Sequence, residues 1–349
     1  MRIASVTITS NRREIIADAI LSVRDWVDAA VVVDLGITDD TLQIVQRLMA
    51  EVGKPVYVTK CDAPTCGEWR NAGMRLAQDL GFDWAVTLDT DERLHVKAGW
   101  DIRKALEMVR DQADVIFARD SQDRYPKERI FKLPTQNWFA GHAHEAIPNI
   151  GQMVNLPGLT FSELPKSMEK IKANCEFIRR EKLRELAEDD STPRNWYYLG
   201  DALDVLGEAE EAIVAFQNCA ERTTWDAEGA WANLRTALCA RKLKDTKRAL
   251  EYCARGLVYH PGYAELAWLA AVICAESGQW HHAIYWARMA MINGKPEIDI
   301  HHSSHCLPFG VWEGPYEILR DAYRNLGNQA EADKWALKAD DIRGREVAA

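Results

Sequence analysis

The sequence holds no run of about 18 apolar residues, the length a helix needs to cross a bilayer. Its first residues, MRIASVTITSNRR, read as a strand and not as a basic segment followed by an apolar leader. No membrane span and no secretory leader are therefore expected. Positive charge is in short supply: 43 Lys and Arg face 53 Asp and Glu, a net charge of −10. That balance argues against a general nucleic-acid binder but leaves room for a local basic groove. Two phosphate-binding loops are missing. No GxGxxG follows the first strand, which argues against a dinucleotide Rossmann site, and no GxxxxGK followed by Ser or Thr occurs, which excludes a P-loop. The eight cysteines are scattered, most of them in helix-like segments where they serve as small apolar residues. Cys61 and Cys66 are close, but no second pair completes a zinc pattern, and a reducing cytoplasm is the expected compartment.

What is present begins with an alternation of apolar strands and amphipathic helices. Residues 3–9, 29–34 and 56–59 read as buried strands. Residues 11–26, with Ser10 or Asn11 as cap and Glu14 three residues beyond Asn11, read as a helix, as do the segment with Leu42, Val45, Leu48 and Met49 and residues 70–80. The pattern predicts a parallel sheet covered on both faces. The fourth strand opens WAVTLDTDERL, Trp84–Leu94. Period-two alternation would point Asp89 and Asp91 the same way. Two adjacent carboxylates repel unless a cation sits between them, so one reading is a divalent-metal and diphosphate anchor at a strand's carboxyl end. The other is an acidic turn that caps the next helix. Beyond a helix at 100–110, strand-like runs at 114–118, 129–133, 138–139 and 153–161 predict a mixed or antiparallel extension of the sheet. Between them Gly141, His142, His144 and Glu145 fall within five positions. Asp34 ends the second strand, Asp89 and Asp91 end the fourth and Asn11 follows the first, and in a parallel sheet these ends share one edge; Arg12, Arg13 and Arg70 add positive charge.

The second half repeats. Residues 165–190 read as a charged connecting helix. Trp196, Leu199, Gly200, Leu203, Gly207, Ala212 and Phe216 then fit the tetratricopeptide template. Further copies follow at Trp231, Leu234, Leu238, Ala249 and Pro261, at Gly278 and Ala283, and at Tyr316, Leu319, Tyr323, Gly327 and Ala332. Such helix pairs must stack to bury their faces, and the stacked surface is a platform for binding or for a homodimer. Residues 295–315 interrupt the array with His301, His302, His305 and Cys306, whose spacing matches no standard zinc site; a loop of this length within a repeat is often functional.

With these segments in hand, the chain resembles the family 2 glycosyltransferases of the A-type nucleotide-sugar (GT-A) fold, in the branch that carries tetratricopeptide repeats. The resemblance rests on VVDLGITDDT at 32–41, RNAGMRLAQDLGFDWAVTLDTDERL at 70–94, and Gly141, His144, Glu145 and Ile147 as a GxxHExI element. It implies a GT-A-like mixed sheet flanked by helices over residues 1–164, a connecting helix at 165–192, and an all-α repeat domain at 193–349. It implies an inverting transfer of a sugar, a hexose from a UDP-sugar, to an acceptor hydroxyl or thiol. Thr9, Asn11 and Asp34 would contact the nucleoside, and Arg70 the diphosphate or base. Asp89 and Asp91 would hold Mn²⁺ or Mg²⁺. Glu145 would serve as base, with His144 as a phosphate or metal contact; the plain alternative for His144 is a packed strand histidine. The repeats suggest a peptide or protein acceptor. A modified base in phage DNA is the alternative, and a degenerate scaffold that binds partners through its repeats is the non-enzymatic one. The chain departs from the family at Leu35 and Ile37, and LTFSELPKS lacks the His that relatives supply as a third ligand; Ser162 and Glu163 are the nearest polar groups there.

Overall fold

The computed structural model describes residues 1–121, 126–148, 150–293 and 313–346. It divides into two compact units, Met1–Ser167 and Met168–Ala349.

In the first unit β1 (Ile3–Thr9), β2 (Ala29–Asp34), β3 (Val56–Lys60) and β4 (Trp84–Thr87) alternate with α1 (Ile16–Val23), α2 (Thr41–Ala50) and α3 (Cys66–Asp79). β5 (Glu92–Val96), α4 (Ile102–Met108), β6 (Val115–Asp120), β7 (Pro126–Lys132) and β8 (Met153–Glu163) follow. The eight strands form one sheet in the order β3-β2-β1-β4-β7-β6-β8-β5. The first four are parallel, while β7 runs antiparallel to β4 and to β6, and β5 runs antiparallel to β8. The continuous apolar strands have a direct cause. Ile3, Ala30, Val32, Trp84 and Val86 pack with Ile16, Ile20, Val45 and Met49 of α1 and α2. Their strand neighbours Ala4, Val6, Ala29, Val31 and Ala85 pack with Met74 and Ala77 of α3. Both faces are buried, so no position can be polar for solvent's sake.

Only residues 88–91 join β4 to β5, yet three strands lie between the two in the sheet. A flat sheet would separate them by about 19 Å at ~4.8 Å per strand. The connection is shortened further by a turn, Glu92 N donating to Asp89 O at 3.0 Å. The sheet must therefore curl, and β6 carries register shifts against both its neighbours, between Ile116 and Phe117 toward β7 and between Phe117 and Arg119 toward β8.

Several sequence expectations are corrected here. The first helix starts at Ile16 with no side-chain cap, because Asn11 is engaged elsewhere. α3 begins at Cys66, four residues earlier than expected, capped by Thr65. Asp89 and Asp91 lie in the turn beyond β4, so strand alternation does not orient them. β5 was not anticipated. Residues 138–139 form no strand.

The second unit opens with α5 (Met168–Glu188), expected as a connector. Its buried Cys175, Ile178 and Leu186 form a thin apolar stripe, and Lys182 donates to Asn195 at 3.0 Å. It thus packs as the first helix of the helical unit. Four helix pairs follow among the described residues: α6 (Pro193–Leu206) with α7 (Ala209–Arg222), α8 (Asp226–Lys242) with α9 (Thr246–Tyr259), α10 (Ala264–Glu276) with α11 (Trp280–Asn293), and α12 (Gly314–Asn325) with α13 (Gln329–Glu346). Small residues permit the close approach: a Cβ on Gly200 would lie 2.8 Å from the Phe216 ring, and one on Gly256 would lie 2.6 Å from Leu266. Buried Cys219 and Cys253 act as small apolar groups, while Cys239 Sγ donates to Asp204 Oδ1 at 3.3 Å and burial, with Asp204 beside it, pushes that thiol up to about 12. His301, His302, His305 and Cys306 lie outside the described residues, whereas 314 and 315 already belong to α12.

The seating of α3 on the sheet gives a test. A Cβ at Gly73 would fall 2.4 Å from Val6 Cγ1 and 2.8 Å from Val33 Cγ2, and β-branched side chains cannot swing away. Gly73→Ala should cost about 1–3 kcal/mol, overpacking outweighing the gain in helix propensity. Urea unfolding of the variant measures it, and an unchanged midpoint would refute the packing argument.

Candidate active site

The site is assembled on the first turn of α3. A helix leaves its first N–H groups unpaired. Here Thr65 Oγ1 accepts from Glu68 N at 3.2 Å, while Cys66 N and Gly67 N donate to His142 O and Gly141 O at 3.1 and 3.2 Å. The close approach requires glycine, since a Cβ on Gly67 would sit 3.0 Å from the Phe139 carbonyl oxygen. One turn on, buried Asn71 replaces the strand partner that Phe139 lacks. Its Nδ2 donates to Phe139 O at 2.8 Å and its Oδ1 accepts from Phe139 N at 2.9 Å. A single β-bridge between Ala140 and Ala146 closes the loop. The loop that carries Glu145 is thereby clipped to α3.

Arg70 occupies the centre. Nη1 and Nη2 grip the two oxygens of Asp89 at 2.8 and 3.2 Å, and Nε pairs with Glu145 Oε1. A planar fork on a carboxylate is among the stronger charge-assisted arrangements. Arg129 of β7 lies 3.5 Å from Asp89 Oδ2 and also pairs with Glu92 of β5. Lys127, two residues earlier on the same face, lies 2.9 Å from Glu92 and pairs with Glu163 of β8. Asp91 stands apart, with Lys166 Nζ 3.2 Å from its Oδ2. The two aspartates therefore answer to different cations. Burial opposes charge on Asp89, but Arg70 and Arg129 outweigh it and hold its carboxyl well below the usual range. Burial likewise pulls Arg70 down, and Asp89 and Glu145 more than reverse it. Lys166 follows the same pattern, kept above its ordinary value by Asp91 against the cost of burial.

The structure thus brings Arg70, Asp89 and Glu145 together. The nucleoside candidates form a second group at the ends of β1 and β2, where Thr9 and Asp34 are register partners. Thr9 is buried and donates to Ser10 O at 2.9 Å. Asp34 Oδ1 accepts from Gly36 N and Ile37 N at 2.8 and 2.6 Å. Asn11 is exposed, and its Oδ1 accepts from Thr38 N and Asp39 N at 2.8 and 3.2 Å, tying the two loops together. His144 is exposed on its loop in the left-handed region, φ 51°, and is not packed in a strand. Glu163, the sequence candidate for completing a metal site, is spent on Lys127. Among the described residues no group of three or more His, Cys, Asp or Glu side chains is placed to ligate a metal. Sequence reasoning missed Asn71, Glu92, Lys127, Arg129 and Lys166. The alternation in PKER, which sets Lys127 and Arg129 on one face, was the available signal for that pair.

Part of the chain is similar to proteins named as glycosyltransferases. The chain joins a glycosyltransferase-like α/β unit to tetratricopeptide-like helical repeats. Over 125 residues it is 33% identical to an uncharacterized glycosyltransferase of Rickettsia felis, covering 36% of this chain and 37% of that one. Over the same length it is 32% identical to a counterpart in Rickettsia conorii, with the same coverages. The chain thus matches little more than a third of the length of these relatives. No family model matches. Among solved structures, Staphylococcus aureus TarS 1–349 in complex with UDP aligns with TM-score 0.44 at 16% identity, over 74% of this chain and 91% of that one. MamA aligns with TM-score 0.41 at 16% identity, over 53% of this chain and all of that one.

The buried fork predicts an acid-side signature. A carboxyl whose native pKa is depressed stabilises fully above its unfolded value, about 3.9, and loses that contribution as pH falls toward the native value. Asp89→Asn, which leaves Arg70 and Arg129 with one fewer counter-charge, should cost about 3 kcal/mol at pH 7. The gap to wild type should narrow below about pH 4. Denaturant melts at pH 7 and pH 3 test this, and a gap that widens in acid would contradict it.

Proposed function

We propose that the α/β unit is an inverting glycosyltransferase that moves a hexose from a UDP-sugar to an acceptor hydroxyl or thiol, with a peptide or protein as the favoured acceptor. The observation that carries the reading is Arg70, one guanidinium that fixes both Asp89 at the sheet's carboxyl edge and Glu145 on the adjoining loop. Donor-side and acceptor-side carboxylates are held at a set separation before any ligand arrives, which is what an oriented displacement requires. For a hydroxyl acceptor, its oxygen bonds to the anomeric carbon as the bond from that carbon to the β-phosphate oxygen breaks. The electron pair leaves with UDP, and the acceptor's proton passes to Glu145. Arg70 takes Oε1 of Glu145, so Oε2 is the oxygen assigned to that proton.

The donor set decides how Mn²⁺ or Mg²⁺ would be held. Both oxygens of Asp89 are committed to the Arg70 fork, so Asp89 is a positioning residue. Asp91 fits as a single carboxylate anchor, since its ion-pair partner is the Lys166 ammonium at 3.2 Å and no guanidinium fork engages it among the described residues. Ions of this type commonly use one or two carboxylates with substrate phosphates and waters. When bound, such an ion supplies Lewis-acid charge to the leaving diphosphate. Thr9, Asn11 and Asp34 would shape the nucleoside end, chiefly by fixing its two loops.

Those loops also favour a second reading. Asp34 and Asn11 spend hydrogen-bonding capacity on their own backbone, as a scaffold without a nucleotide would allow. A modified base in DNA is the other acceptor to be tried. Incubation with a panel of UDP-sugars, read by mass spectrometry for hydrolysis, should identify the donor. Calorimetry with UDP in Mn²⁺ should give binding that Asp91→Ala weakens at least about tenfold, or ~1.4 kcal/mol. Binding unaffected by that substitution would remove Asp91 from the site, and no binding of any nucleotide would leave the scaffold.

A further inference from the structure

We infer that Lys166 is a donor-binding residue that occupies Asp91 in the empty protein and exchanges it for the donor's diphosphate when a divalent ion takes its place. The inference rests on the reading above and adds a residue to it. Five carboxylates, Asp89, Asp91, Glu92, Glu145 and Glu163, meet four cations, Arg70, Lys127, Arg129 and Lys166, in this cluster. Among the described residues of the cluster one negative charge is left over, so a diphosphate needs both an added cation and a positive side chain free to turn toward it.

Only one of the four cations is built to turn. Arg70 and Arg129 are 15% and 6% exposed, each braced by two carboxylates, and Lys127 bridges Glu92 and Glu163. Lys166 is 36% exposed and has Asp91 as its ion-pair partner among the described residues. It follows β8 on a stretch with no regular structure, while the backbone nearby is pinned by Leu164 N donating to Asp91 O at 2.8 Å. The ammonium on its flexible stem can therefore leave Asp91 without the chain moving. Lys166 also lies just past β8, the stretch where a third ligand was sought by sequence and not found. An ammonium and a divalent ion drawn to one carboxylate repel each other, so the two compete at Asp91, whereas at the diphosphate their charges add.

Competition and cooperation on one side chain give opposite shifts. Manganese titration of the nucleotide-free protein, followed by electron paramagnetic resonance, should show Lys166→Met binding Mn²⁺ about threefold more tightly than wild type, the loss of an exposed competitor. Calorimetry at saturating Mn²⁺ should show the same variant binding UDP about tenfold more weakly, the loss of a charge-assisted contact. Lys166→Gln should repeat both shifts, and Lys166→Arg should keep UDP affinity near that of wild type. If both affinities fall together, or neither moves, in variants whose melting is unchanged, the exchange is wrong while the transferase reading stands on wild-type UDP binding. If wild type binds no UDP at any Mn²⁺ concentration, the transferase reading fails and takes this role of Lys166 with it.

Discussion

The first unit depends on one guanidinium that cannot be left unpaired. Arg70 is largely withdrawn from water between Asp89 and Glu145, and an isolated charge in that position would be costly. Its demand for two carboxylates fixes where the β4–β5 turn and the 139–147 loop must lie. The helix that carries it is fixed in turn by Gly73 against β1 and β2, and by Gly67 and Asn71 against the loop. Packing of small residues thus sets the positions of the charges, and the charges set the shape of the edge.

Much of this was legible in the sequence, and the limits have physical causes. Apolar continuity gave β1, β2 and β4, because burial on both faces leaves an unmistakable composition. The repeat residues, such as Trp196, Gly200 and Phe216, gave the helix pairs, because each position answers to a neighbour's shape. β5 was missed because Glu92 is charged and yet fully buried, a combination that hydropathy cannot read. The orientation of Asp89 and Asp91 was misread because a period-two rule was applied past the end of a strand. The residues of the site were easier to find than their partners. Arg70, Asp89 and Glu145 stand in recognisable segments, whereas Lys127, Arg129 and Lys166 meet them only after the sheet has curled.

The helical unit follows a different logic. Its helices pack through alanine, glycine and buried cysteine, and ion pairs such as Arg235 with Asp201 and Asp204 tie neighbouring helices together around that core. Trp231 Nε1, donating to the Tyr197 hydroxyl at 2.9 Å, links one pair to the next. α5 joins this stack at its start, so the segment that follows Lys166 in sequence is itself an ordered element of the second unit.

The curl of the sheet has a mechanical consequence. β7 and β5 share no backbone ladder, yet Lys127 and Arg129 of one reach Glu92 of the other. The join is made by side-chain charge where a neighbouring strand would supply a ladder of amides. Such a join stiffens or slackens with ionic strength in a way a ladder does not, so the curvature of this corner answers to salt while the rest of the sheet does not.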